Sequence, residues 1–254
     1  MAETKYGKKW SEDETILAFY YYCQIPFGKI HKTNPEIMHI ASILGRTPSS
    51  VVLKMGNLGH FDPELQKRNV SGLSNASKTD KEVVTRFFDD WEELTFRAKT
   101  IDAALLNESV QEIVELPVGE DREHMVRTRV NQQFFRTAVL SSYRQCCCIT
   151  GLNIAPLLIA SHIKPWAVCK PGTERTNPRN GLCLNALHDK AFDKGLITVL
   201  PDFTVRVSSK VTSNVNSDGV AFLAKYDRQA ITLPEKFAPN REYLEYHNDV
   251  VFSP

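Results

Sequence analysis

Apolar positions recur with a helical period through the first half of the chain. Ser11 precedes Glu12, Asp13 and Glu14, and Ile16, Leu17, Phe19 and Tyr20 follow. That order gives a cap, an acidic first turn that suits the helix dipole, and an apolar stripe. Asn34-Pro35 repeats the start signal before Ile37, Ile40, Ala41 and Leu44, and Gly45 stops the run. Thr47-Pro48 then opens a third helix through Val51, Val52 and Met55. Two short helices joined by Gly45-Arg46-Thr47 make a helix-turn-helix-like pattern. Arg46, Ser49, Ser50 and Lys54 are of types that donate to phosphates or base edges, so Arg46 and Lys54 are candidate DNA-binding residues. The same turn also serves packing alone.

Residues 69–80, rich in Ser, Asn and Gly, predict a linker. A long helix is expected from about Lys81 to Leu106, with Val83, Val84, Phe87, Phe88, Trp91, Leu94 and Phe96 as packing residues. Residues 107–123 are acidic and contain Pro117-Val118-Gly119, a second loop. Helical spacing returns from Arg127 to Tyr143. After Cys148 the pattern changes. Cys148 to Gly151 (CITG) predicts a turn between two short strands. Leu157 to Trp166 predicts an apolar strand ending in His162. A polar loop leads to Asn180, a helix carrying His188, and a closing strand to Val199. The fold class expected is α+β, with a helical domain over 1–100, a linker over 101–123 and a second domain over 124–254.

Composition narrows the classes. With 254 residues, 42% hydrophobic and 24% charged, the chain can bury real cores and is neither disordered nor low-complexity. No apolar run approaches a membrane span, and the N-terminus has no apolar signal region, so a cytoplasmic protein with no membrane partner is expected. The six cysteines, three of them adjacent at Cys146–Cys148, make a poor disulfide framework and read as free thiols. Net charge is +1, but residues 144–200 carry a net +4 and residues 101–143 a net −3. A basic segment in a neutral protein points weakly to a polyanion.

Taken singly, each polar residue here has an ordinary structural reading. His162 can be a satisfied strand-end histidine, His188 a helix-surface residue, and Asn180-Gly181 a turn. Their order suggests more. Phosphodiester hydrolysis needs a base to deprotonate water and a hard cation to neutralise the phosphate and leaving oxygen. An imidazole suits the first task. A second histidine on a facing helix can hold the cation, and an Asn amide can fix the loop that carries the base.

The order His162, Asn180, His188 resembles the HNH motif of the ββα-metal endonucleases, in the branch found in bacterial restriction-type proteins. The resemblance is carried by Cys148, Thr150 and Gly151; by Ala160, His162, Ile163, Pro165 and Trp166; by Asn180, Gly181 and Leu182; and by Leu187, His188, Phe192 and Asp193. It extends over about residues 124–254. The N-terminal stretches Pro26–Ile30 and Gly45–Val51 are similar to the domain that accompanies this branch.

The resemblance implies a divalent-metal-dependent endonuclease acting on double-stranded DNA, in restriction or defence. It implies His162 as general base, Asn180 as the residue orienting the catalytic loop, and His188 as ligand to Mg²⁺ or Mn²⁺. Ser161 stands where many relatives carry a second metal ligand, which leaves a main-chain or water oxygen, Asn185 or Asp193 for that place. Four thiolates at zinc spacing are missing, so no structural zinc is expected. Lys164, Arg175, Arg179, Lys190 and Lys194 surround the implied site as candidate DNA-binding residues. A nicking or homing-type nuclease and a non-catalytic helix-turn-helix DNA-binding regulator are the alternatives. One such site breaks one strand, so a homodimer is expected for a double-strand break, with the Lys81 helix as candidate interface.

Overall fold

A computed structural model describes residues 5, 7–62, 65–66, 76–106, 122–213 and 217–254. Most of the expected linker at 69–80 and the Pro117 loop lie outside the described residues. The chain packs as two compact units, Met1–Ala138 with Lys170–Asn177, and Val139–Cys169 with Pro178–Pro254.

The first unit is helical. Helix α1 (Glu12–Gln24) is capped by Ser11, and Glu14 completes a reciprocal capping box. α1 is buried on nearly every side, from Ile16 through Cys23. It packs against α3 (Pro48–Gly59), α4 (Lys78–Phe88) and α5 (Trp91–Leu106). α2 (Pro35–Leu44) starts at the Asn34 cap with Pro35 in its first turn and ends at Gly45, whose φ of 62° places it in the left-handed region. Thr47 then caps α3 by accepting from the Ser50 amide. These local signals place three helices where the sequence predicts them.

The expected helix from Lys81 to Leu106 is two helices. The apolar period runs on through the break, but Asp89 ends α4 and the Asp90 carboxylate accepts from the Glu93 amide, restarting the backbone as an N-cap does. The Trp91 amide donates to the Gly172 carbonyl at 2.9 Å, which ties the 170–177 segment to this restart. Phe87, Trp91 and Leu94 are wholly buried, and the Trp91 ring lies 6.1–6.2 Å from those of Phe19 and Phe134. On the helix expected as a dimer interface, Phe87, Trp91 and Leu94 are therefore core of the unit itself, and Phe88 is half-buried beside the Trp91 ring.

α6 (Arg122–Ser142) leads into the second unit. There β1 (Leu158–His162) pairs antiparallel with β2 (Gly181–Asn185), and His162 sits opposite Gly181. All five residues of β2 are buried. α7 (Ala186–Asp193) follows at once, capped by Asn185, which accepts from the amides of Leu187 and His188. A second hairpin, β3 (Ile197–Val199) with β4 (Val205–Val207), follows. Short helices α8 (Ser209–Thr212), α9 (Asp218–Ala224) and α10 (Arg241–Tyr246) and a π-turn over His247–Val251 complete the unit. The architecture is α+β, a helical N-terminal region and a C-terminal β-β-α segment.

The turn at Cys148–Gly151 departs from expectation. It is not flanked by strands. It closes on itself through the Gly151 amide and the Cys147 carbonyl, and the Cys148 amide donates to the Cys183 carbonyl on β2. Gly151, with φ of 72°, supplies the backbone conformation this turn requires. The strand that pairs with β1 comes from beyond the polar loop instead.

Candidate active site

The β1–β2 pairing brings the end of one strand beside the start of the other. His162 ends β1, and the Ile163 amide donates to the Asn180 carbonyl at 2.9 Å, extending the ladder by one bond. The Asn180 side chain is fully buried. Its oxygen accepts from the Lys164 amide at 2.8 Å and its NH₂ donates to the Lys164 carbonyl at 3.2 Å. One carboxamide thus binds both polar groups of the residue two after His162, in the manner of a backbone partner.

The His162 ring meets the Trp166 ring edge-on, with centroids 5.6 Å apart. It faces a cleft of about 510 Å³ whose wall includes Ser161, His162, Trp166, Asp189, Asp193 and His247. Lys190 and Lys194 line the same cleft and are exposed. Asp189 and Asp193 stand one turn apart on α7 and therefore share a face. Burial pushes the Asp189 carboxyl above its usual value, and the Asp193 charge adds to this. The Ser161 hydroxyl and Lys190 pull in the opposite direction without cancelling it.

His188 stands on a different face of α7 and is not part of the cleft wall. Its side chain is buried, with Nδ1 3.1 Å from the Asn185 carboxamide oxygen and its ring edge-on to Phe222 and Tyr226, 5.3 Å from each. Asn185 donates in turn to the Thr150 hydroxyl. Burial, with the Lys225 charge nearby, lowers the His188 pKa to about 4. Its Nδ1 side ties the helix cap to the Thr150 turn, while Nε2 is buried with no hydrogen-bond partner among the described residues.

His247 is also buried. Thr198 and the Phe192 carbonyl bond its two nitrogens at 2.8 and 3.2 Å, so Nε2 donates and Nδ1 accepts. Burial lowers its pKa to about 4. Gly195 ends α7 with φ of 64°, and a Cβ there would lie 2.1 Å from the Val251 carbonyl oxygen.

The other expected contacts divide. Lys164 reaches over the Tyr246 ring at 5.4 Å, and Arg179 donates to the Ala238 carbonyl. Arg175 lies in the 170–177 segment that packs with the helical unit. Arg46 and Lys54, the DNA-binding candidates of the helical unit, are both engaged within it. The Arg46 side chain is 4% exposed. Its guanidinium meets both Glu14 oxygens and the carbonyls of Lys5, Lys8 and Lys9. Lys54 is buried against Asp80 at 2.6 Å, and both cations flank the Trp10 ring. Their charge is spent inside the helical unit.

Asp189 lines the cleft but is not among the residues the sequence singles out. The signal was present, since Asp189-x-x-x-Asp193 is an i, i+4 carboxylate pair beside a strand-end histidine. Among the described residues no group of three or more His, Cys, Asp or Glu is arranged to hold a metal ion. Two carboxylates over an open cleft still fit a hard cation that completes its shell with water and phosphate oxygens. No soft thiolate set lines the cleft. All six cysteines are free, and every one but Cys146 is buried. No helix among the described residues is long and apolar enough to cross a membrane.

No curated protein is significantly similar to the chain. Residues 147–200 match a family of HNH endonucleases, with no restriction branch singled out. The match takes in the Cys148 turn, β1, the loop to Asn180, β2, α7 and β3, and so falls on the segment that builds the cleft; what relates this chain to the HNH endonucleases is that segment.

Proposed function

We propose that the protein is a divalent-metal-dependent HNH endonuclease that cuts double-stranded DNA, in a restriction or defence role in the cytoplasm. The observation that carries the reading is the cleft itself, where His162 faces the Asp189–Asp193 pair with Lys190 and Lys194 around it. His162 takes a proton from the water that attacks phosphorus. Asn180 keeps His162 in place by holding the backbone behind it. Asp189 and Asp193 are the residues of this cleft that would hold Mg²⁺ or Mn²⁺, and His188, the ligand the sequence suggests, lies outside it with its Nε2 buried and unpartnered among the described residues. When bound, that cation would neutralise charge on the phosphate and on the departing oxygen. Lys190 and Lys194 hold neighbouring phosphates, which positions the strand without reading its sequence.

The inward-facing Arg46 and Lys54 disfavour the alternative of a regulator that works through its helix-turn-helix. A single His162 breaks one strand per event, so a double-strand cut calls for two copies of the chain. The test is cleavage of supercoiled plasmid with Mg²⁺, with EDTA, and with EDTA followed by Mn²⁺. Cutting should stop with the chelator and return with either cation, and Asp189→Asn with Asp193→Asn should abolish the return. Undiminished cutting in EDTA would refute the reading.

A further inference from the structure

The clamp behind His162 has a third member. Cys169 is 4% exposed and lies beyond the turn that follows Trp166. Its thiol donates to the Lys164 carbonyl at 3.2 Å, and its sulfur accepts from the Asn180 NH₂ at 3.3 Å. Asn180 also binds both the amide and the carbonyl of Lys164. The Lys164 peptide groups, the Asn180 carboxamide and the Cys169 thiol therefore close a ring in which every member both donates and accepts. Without the sulfur, one fewer contact opposes rotation of the Asn180 carboxamide about its terminal torsion, which is intrinsically broad, and the bonds to Lys164 open more often.

We propose that Cys169 is a positioning residue whose thiol locks the Asn180 carboxamide and thereby fixes the loop that presents His162. The role in catalysis rests on the nuclease reading above, while the lock itself does not. A small buried apolar cysteine needs no such pair of partners, and a sulfur that only filled space would leave Asn180 unchanged when replaced by an alkyl group of similar size.

The test uses the ¹⁵N-labelled full chain as wild type, Cys169→Ala, Cys169→Val and Cys169→Ser. Hydrogen exchange of the Lys164 amide reads the lock directly. It should quicken by about 10-fold in the Ala and Val variants, the scale of one weakened hydrogen bond, and return most of the way in Cys169→Ser, whose hydroxyl still donates and accepts. Single-turnover cleavage should fall by about 10- to 100-fold in the same two variants with DNA affinity unchanged, the usual effect of losing an orienting partner. Val keeps the volume, so it decides the matter if Ala fails to fold. Wild-type exchange at Lys164 in Cys169→Val, or no recovery in Cys169→Ser, would overturn the proposal. A wild-type protein that cuts no DNA would sink the nuclease reading alone, and the exchange result would still decide on the lock.

Discussion

Asp189 sits where its charge is disfavoured, half-buried and one helical turn from Asp193. A carboxyl whose folded pKa is raised gives up stability as pH climbs above its unfolded value, because the unfolded chain ionises first. At neutral pH the Asp189 charge therefore costs stability, and the cation proposed above would relieve that cost. Asp189→Asn should raise the thermal midpoint in EDTA, and Mg²⁺ should stabilise the wild type but not this variant. A lower midpoint in EDTA would mean that the carboxylate is structural. His188 and His247 work in the other sense. Both have folded pKa values near 4 against 6.5 unfolded, so the unfolded chain takes up protons first and stability falls as pH drops from about 6.5 toward about 4. The loss is at most roughly 1.4 kcal/mol per imidazole for each pH unit. Glu14, whose burial is outweighed by hydrogen bonds from Arg46 and Lys5 that bring it to about 2, gives way only below its unfolded value of 4.5. Denaturant unfolding between pH 6.5 and 5 thus reads the histidines, and His188→Gln should flatten the slope. An unchanged slope would remove His188 from this account.

Elements were legible where their signals are local. Ser11, Asn34-Pro35, Gly45 and Thr47-Pro48 each fix a helix end through bonds to residues within one turn, and the structure has those ends. The break at Asp89-Asp90 was hidden because the apolar period continues across it while a distant carbonyl, Gly172, receives the Trp91 amide. The partner of β1 was hidden for the same kind of reason, since β2 is reached only after the polar loop. At α7 the residue types were legible but the rotation of the helix was not. Adjacent positions differ by about 100° around a helix, so whether His188 or Asp189 faces β1 depends on tertiary packing. Just past the helix end, Gly195 lies so close to the Val251 carbonyl that no Cβ fits there. Gly195→Ala adds a Cβ against backbone in a left-handed conformation, and should destabilise the protein by about 2 kcal/mol or more. Thermal unfolding checks this. A loss below about 0.5 kcal/mol would show that the C-terminal segment gives way easily.

For the whole molecule, the proposed nuclease reading turns on which positive charges could meet DNA. Arg46 is committed to Glu14 and three carbonyls, and Arg46→Ala leaves a buried carboxylate without its main partner. The expected loss is about 3 kcal/mol or more of stability, with the salt dependence of DNA binding unchanged. Lys190→Ala with Lys194→Ala should do the reverse, leaving stability nearly intact and reducing the slope of log affinity against log salt by roughly two contacts. Sedimentation with and without DNA tests the two-copy proposal, and concerted double-strand cutting by a strict monomer would contradict it. The claim on which the rest depends is that His162 is the general base of a nuclease. Plasmid cleavage with Mg²⁺ by wild type and by folded His162→Ala addresses it most directly. The account predicts cutting by the wild type and a rate about two to four orders of magnitude lower in the variant, with DNA binding retained. Equal rates for the two proteins would contradict it.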